Sequence, residues 1–161
     1  MVRHDDPAGT QLFAEFGLTG GLLEQTRHFL RESDSPNWPE LAADRDKLLE
    51  PGAGATTRSR FNPQGEALEQ TDAQGHRQLF RQTVAGQLRE VHLQLKNEPV
   101  PNTLVSEIQY NAQGQTERET AGNGVLTTLE YAAEDGRLTR LQAKRGTDTL
   151  QNLRYEYDPH P

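Results

Sequence analysis

The sequence predicts an all-β chain of antiparallel hairpins with one short helix near residues 40–49. Three observations carry that reading. Apolar and polar residues alternate with period two over most of the chain, as in Leu104, Ser106, Ile108 and Tyr110 against Val105, Glu107 and Gln109. An aromatic residue followed four residues later by glycine recurs, as in Phe61-Asn62-Pro63-Gln64-Gly65 and Tyr110-Asn111-Ala112-Gln113-Gly114. A longer copy runs from Tyr131 to Gly136, and a last one opens at Tyr157-Asp158-Pro159. Leu, Ile, Val and Phe together make only 32 of 161 residues, which points to an ordered but thin structure with little core of its own.

The chain opens on strands near 1–5. Gly20-Gly21 then precedes Leu22 to Glu32, where two periods compete. Leu23, Arg27 and Leu30 have helical spacing, whereas Glu24, Thr26 and His28 alternate after a glycine turn. The strand is the reading taken. Ser33 to Pro39 is a loop, and Glu40 to Leu49 the short helix, with Pro39 suited to its first turn and Pro51-Gly52-Ala53-Gly54 ending it. Further strands begin near Thr56 and continue at 66–71, 77–82, 87–95, 104–110, 115–120, 125–131, 137–144 and 150–157. This gives an N-terminal part, 1–55, and a strand array, 56–161.

The turns carry their own mechanism. Asp72-Ala73-Gln74-Gly75, Asn111-Ala112-Gln113-Gly114 and Glu134-Asp135-Gly136 start on or contain a residue that bonds back to the local backbone, and end on glycine. Gly122-Asn123-Gly124 reads as a further turn of high flexibility. Gly65, Gly86, Gly114 and Gly136 are separated by 21, 28 and 22 residues. The extra length falls in Lys96 to Asn102, a loop with two prolines. Each unit is therefore a pair of strands, about 20 residues, and such a period marks an array rather than an enzyme pocket.

Composition narrows the function classes. A net charge of −7 gives no support for nucleic-acid binding. The absence of cysteine excludes disulfides and thiolate metal sites. No segment approaches the length of apolar run that spans a membrane, and Met1 to Asp6 has no stretch of signal-peptide type. His4, His28, His76, His92 and His160 form no helical ligand pair, and His92 reads as a solvated strand residue between Val91 and Leu93. Asp5-Asp6 and Asp158 are read as structural rather than as acid–base groups, Glu117 and Glu119 as one strand face, and Trp38 as packing for the loop before the helix. No nucleophile elbow, phosphate loop or dinucleotide fingerprint is present. The expectation is therefore no enzyme, no cofactor and no catalytic or metal site. The residues that matter are the repeat positions Phe61, Gly65, Gly75, Gly86, Tyr110, Gly114, Gly122, Gly124, Tyr131, Gly136, Tyr157 and Asp158.

These phrases resemble the tyrosine–aspartate (YD) or RHS repeat. More narrowly, the ordered series resembles the C component of bacterial insecticidal toxin complexes (Tc toxins). It comprises Leu18-Thr19-Gly20 with Gln25-Thr26-Arg27, Glu69 to Gly75, Val84 to Leu88, Gly122 to Val125, and Leu150 to Pro159. The resemblance implies strands that spiral into part of a curved β-shell. That shell, shared with a B component, encloses a toxic C-terminal cargo and docks on a pore-forming A component. By the same resemblance the chain is an upstream strip of shell wall, incomplete at both ends, without the self-cleaving region or the cargo. Its partners are then the remaining shell of the same C component and the B component. Its location is outside the cell as part of a toxin complex, or the cytoplasm if it is only a gene remnant. With unpaired edge strands, the isolated chain is expected to self-associate. A carbohydrate- or cell-surface-binding YD-repeat module is the alternative. The family commonly carries Tyr-Asp before the turn. Here Asp5 takes the first tyrosine place, Gln82 another and Phe61-Asn62 a third, which predicts relaxed packing at those strand ends.

Overall fold

The computed structural model describes residues 1–32 and 36–158. Parts of the Ser33–Pro39 loop, and Pro159, His160 and Pro161, lie outside the described residues. Among those described there are twelve β-strands with antiparallel pairing and one short helix. The strands are β1 Val2–Asp6, β2 Gly9–Phe16, β3 Leu22–Phe29, β4 Ala55–Phe61, β5 Ala67–Thr71, β6 Arg77–Gln82, β7 Leu88–Gln94, β8 Asn102–Tyr110, β9 Thr116–Ala121, β10 Val125–Tyr131, β11 Leu138–Arg145 and β12 Asp148–Arg154. The helix, α1, is Ala42–Asp46.

Backbone packing divides the chain into two compact units. The first comprises Met1–Gln78 together with Leu95–Asn97. It holds β1 to β5 in chain order and the first two residues of β6. The second comprises Leu79–Gln94 and the residues from Glu98 onward, with the rest of β6 and then β7 to β12, again in chain order.

In the first unit β3 settles the competition over residues 22–32. Leu22–Phe29 is a strand because β2 and β4 pair with it on either side, Gln11 facing Arg27 and Thr57 facing Gln25. The helix is half the predicted length. Its N-cap, Leu41, has no side chain that can bond the first N–H groups. At the other end Leu49 is taken into a bridge with Leu30. Three more bonds hold that crossing: Arg31 N–H to the Leu48 carbonyl at 2.9 Å, Glu50 N–H to the Phe29 carbonyl at 2.8 Å, and Arg31 Nε to the Leu49 carbonyl at 2.7 Å. Leu49 is one of the two buried apolar side chains among the described residues; the other is Ala143, in β11 of the second unit.

The remaining apolar side chains are half-covered or exposed. Stability in such a sheet rests on the backbone ladder and on cross-strand pairs more than on a core. Ion pairs supply many of those contacts. Arg58 meets Glu24, and Glu69 is shared by Arg60 and Arg77 in the first unit. Arg140 meets Glu130 in the second. The last strand ends at Arg154 rather than 157. One more backbone bond, Tyr155 N–H to the Thr139 carbonyl at 3.0 Å, extends the pairing beyond it.

Candidate functional site

The repeat phrase builds one turn geometry several times. In Asn62–Glu66 the glycine N–H donates to the Asn62 carbonyl at 3.0 Å, and Asn62 N–H donates to the Glu66 carbonyl at 2.9 Å. The Asn62 side-chain oxygen accepts the N–H groups of Gln64 and Glu66 at 3.0 and 2.9 Å. Its amide nitrogen donates to Glu66 Oε2 at 2.5 Å. Asn111–Gln115 repeats the set, with Asn111 Oδ1 accepting from Gln113 and Gln115 and Asn111 Nδ2 donating to Gln115 Oε1. Asp72 does the backbone half of it for Gln74 and His76. This is a type I turn closed by a glycine bulge, which joins antiparallel strands with their natural twist. Gly65, Gly75, Gly86, Gly114, Gly124 and Gly136 all have φ between 70° and 90°. At Gly114, where φ is 80°, a side chain would be forced into the left-handed region.

The aromatic that opens each phrase has a second task. Tyr110 donates its hydroxyl to the Leu88 carbonyl at 2.7 Å, Tyr131 to the Thr116 carbonyl at 2.7 Å, and Tyr157 to the Leu138 carbonyl at 2.8 Å. In every case the acceptor lies two residues past the glycine of the preceding turn, at the start of the neighbouring strand. The tyrosine thus ties together the open end of a hairpin. Arg137 lies over the Tyr157 ring at 5.2 Å. Gln115 Nε2 adds a link to the Gly136 carbonyl at 2.8 Å. Burial raises the pKa of the Tyr110 and Tyr131 phenols, and the nearby carboxylates of Glu119 and Glu117 push the same way, so both hydroxyls remain donors. Tyr131→Phe is expected to cost about 1 kcal/mol in urea melting, the net worth of one such bond. An unchanged midpoint would show that the hydroxyl contributes nothing.

Phe61 fills the same place without a hydroxyl. It lies against Gly21 instead; a Cβ added there would be 3.1 Å from the ring. The first copy of the phrase is not at Asp5, contrary to the sequence reading. It is Phe16-Gly17-Leu18-Thr19-Gly20, with Gly20 N–H to the Gly17 carbonyl at 2.9 Å and Gly17 N–H to the Gly21 carbonyl at 2.8 Å. The aromatic-to-glycine spacing of four was the available signal.

Asp5 lies at the other end of β2, opposite Thr10, and its surroundings are the reverse of relaxed. Its side chain is 9% exposed. Oδ1 accepts from Thr10 Oγ1 at 2.5 Å and Arg3 Nε at 2.9 Å, and Oδ2 accepts from Arg45 Nη1 at 2.7 Å. Burial by itself would push the Asp5 carboxyl up; the three donors outweigh it and hold the pKa at about 2. Arg3 also reaches Asp46 at 2.7 Å. Asp6 receives both terminal nitrogens of Arg27, which hold its carboxyl below the usual range. The bonds of Asp5 to Arg45 and of Arg3 to Asp46 fasten α1 onto β1, and the Asp6–Arg27 pair ties β1 to β3.

The other singled-out residues are placed as follows. His92 is half-buried rather than freely solvated: Nε2 is 3.2 Å from Glu90 Oε2, and Nδ1 is 3.2 Å from Thr103 Oγ1. Trp38 is half-buried ahead of α1, and Asp158 is exposed beyond β12. Gly122 has an ordinary φ; its N–H donates to the Leu104 carbonyl at 2.8 Å, so the turn it begins is tied to β8 rather than loose. Among the described residues no three His, Asp or Glu side chains are grouped to hold a metal ion. No helix among them is long and apolar enough to cross a membrane.

A chain of hairpins closed by tyrosine-to-carbonyl ties and glycine turns can be compared with known proteins as a whole. No family profile matches it. It is 37% identical over 165 residues to the toxin subunit YenC1 of Yersinia entomophaga, covering 98% of this chain and 17% of that protein. It is 34% identical over 168 residues to YenC2 of the same organism, with the same coverage. The chain is an RHS-repeat protein of the Tc-toxin C-component kind. Solved structures agree. A crystal structure of TcdB2-TccC3 with Cdc42 superposes with a TM-score of 0.91 at 37% identity, over 98% of this chain and 8% of that one. TcdB2-TccC3 without its hypervariable C-terminal region gives 0.91 at 38%, over 98% and 7%. A Photorhabdus luminescens Tc holotoxin pore gives 0.91 at 37%, also over 98% and 7%. The Tc-like chain thus spans about a sixth of the curated relatives it matches.

Proposed function

We propose that this chain supplies consecutive strands to the wall of an RHS-repeat shell in which a Tc-toxin B–C pair encloses a toxic C-terminal cargo. The supporting observation is the ladder itself. A wall needs strands that can be added indefinitely, each hairpin closed by its own residues and linked to the next. Tyr110, Tyr131 and Tyr157 with the turns of Gly86, Gly114 and Gly136 supply that rule. The likeness to TcdB2-TccC3 complexes supports a B component as the partner. The role is structural: within each unit the polar groups described are engaged in ion pairs and turn caps rather than gathered around a reacting centre. As part of such a toxin the chain acts outside the producing cell.

A transplant tests this. Residues 1–158 replace the matching stretch of a complete C component, which is then co-produced with its B component. The expected result is an assembled B–C complex whose C-terminal segment resists added protease as well as that of the parent. A complex that assembles but leaves the segment open to digestion would sink the proposal.

A further inference from the structure

We propose that His76 is a pH-sensitive catch on the tip of the β7–β8 hairpin, closed when the ring is neutral and opened by protonation. The tip residues Leu95–Asn97 pack in the first unit, the unit that also holds the turn Asp72–His76. His76 Nδ1 is 3.1 Å from the backbone nitrogen of Lys96. A backbone N–H can only donate, so Nδ1 must be the unprotonated acceptor, and the ring carries its proton on Nε2. Nε2–H then donates to Gln74 Oε1, 3.1 Å away. Both ring nitrogens are committed, and the bond to Lys96 exists in one charge state alone.

Histidine is the side chain that ordinarily changes charge between pH 8 and 5. A proton taken from solvent by Nδ1 turns the acceptor into a donor that faces the Lys96 N–H, and the bond is lost. The groups around the ring set this up from both sides. From its own turn comes the Asp72 carboxylate. Its burial would raise its pKa, but backbone bonds from His76 and Gln74 and the attraction of His76 keep it below the usual range. It therefore stays ionised through the interval and offers the imidazolium a counter-charge. From the tip comes Lys96, whose aliphatic stem lies beside Gly75, a built Cβ there being 3.1 Å from Lys96 Cδ. The adjacent Arg77 is engaged by Glu69 at 2.9 Å. His92, on β7, is arranged the opposite way. It faces the Glu90 carboxylate at 3.2 Å and Thr103 Oγ1 at 3.2 Å, and both oxygens can accept from the ring. A proton on His76 Nδ1 thus loosens the tip at Lys96, whereas neither His92 contact depends on a backbone N–H donating to the ring.

The test follows the Lys96 amide and the His76 ring nitrogens by NMR in the 161-residue chain from pH 8 to 5. The expected result is an Nε2–H tautomer at pH 8. On acidification, the protection of the Lys96 amide from exchange, corrected for intrinsic rate, falls about tenfold, the scale of one hydrogen bond. Its midpoint coincides with the titration of His76. In His76→Asn the side-chain oxygen takes the place of Nδ1 without titrating, and protection stays level. A Lys96 amide whose protection is unchanged in the wild type, an Nδ1–H tautomer at pH 8, midpoints that differ, or the same acid loss in His76→Asn would each overturn the proposal.

Discussion

Gly122→Ala is expected to lower stability by about 3 kcal/mol, the upper part of the range for forcing atoms into a closed space. The backbone at Gly122 is ordinary, so φ is not the obstacle. A Cβ built there overlaps the Thr103 carbonyl oxygen and crowds its carbon at 2.6 Å, and both atoms are backbone. Neither can rotate away. Relief requires β9 to move off β8, which breaks the bond from Gly122 N–H to the Leu104 carbonyl. Gly124, two residues on in the same turn, is the control. Its φ is 81°, and nothing lies within 4 Å of a built Cβ. Gly124→Ala therefore costs only the left-handed conformation, about 1 kcal/mol. Urea melting of the two variants separates the causes. Equal costs, or a larger one at Gly124, would show that close approach is not what Gly122 provides.

That pair of glycines also marks the reach of sequence reasoning. Strands at 77–82 and 125–131 coincide with β6 and β10, because alternation and a glycine turn are local properties that a sequence displays directly. The turn residues Asn111 and Asp72 were legible for the same reason: a side chain bonding two and four residues ahead needs no partner from elsewhere. The role of Gly122 was not legible, since it depends on a strand some twenty residues earlier. The tyrosine ties were half visible. Recurrence showed that Tyr110 and Tyr131 occupy equivalent places; that each hydroxyl finds a carbonyl on the neighbouring strand required the register, with its bulge beside each tyrosine.

The same distinction explains the first phrase. Phe16 to Gly20 has the aromatic-to-glycine spacing of the others and builds the same turn, whereas Asp5 stands opposite Thr10 at the other end of β2. Placed in space, Asp5 is a hub for residues forty positions away, brought over by the crossing of Leu30 and Leu49. A segment that folds back across a sheet leaves no period in the sequence. Its polar contacts are chosen by position alone.

Asp5 is accordingly the other residue whose loss is expected to be large. Asp5→Asn keeps the shape but removes the charge that Arg3 and Arg45 share, leaving Arg45 without its carboxylate partner and Arg3 with Asp46 alone, in a partly enclosed site. The expected cost at pH 7 is about 3 kcal/mol, in the range for breaking one partner out of a buried ion pair. The pH dependence carries the stronger signature. The Asp5 pKa is about 2 in the folded chain against an ordinary 3.8. A folded pKa below the unfolded one means that the unfolded chain binds the proton first. The stabilisation is then complete above pH 4 and is lost as pH falls from 4 towards 2; from this shift it amounts to about 2 kcal/mol. Asp6 and Glu69, both also held low by arginine, add losses of the same sign. Wild type and Asp5→Asn should therefore differ most at neutral pH and converge as the solution is taken to pH 2, because protonation does to the wild type part of what the substitution has already done. Urea midpoints measured at pH 7, 4, 3 and 2 decide it. A gap that stays constant down to pH 2 would mean that Asp5 contributes through its shape and not its charge, and the latch on α1 would have to be assigned to the backbone bonds at Leu48, Leu49 and Glu50 alone.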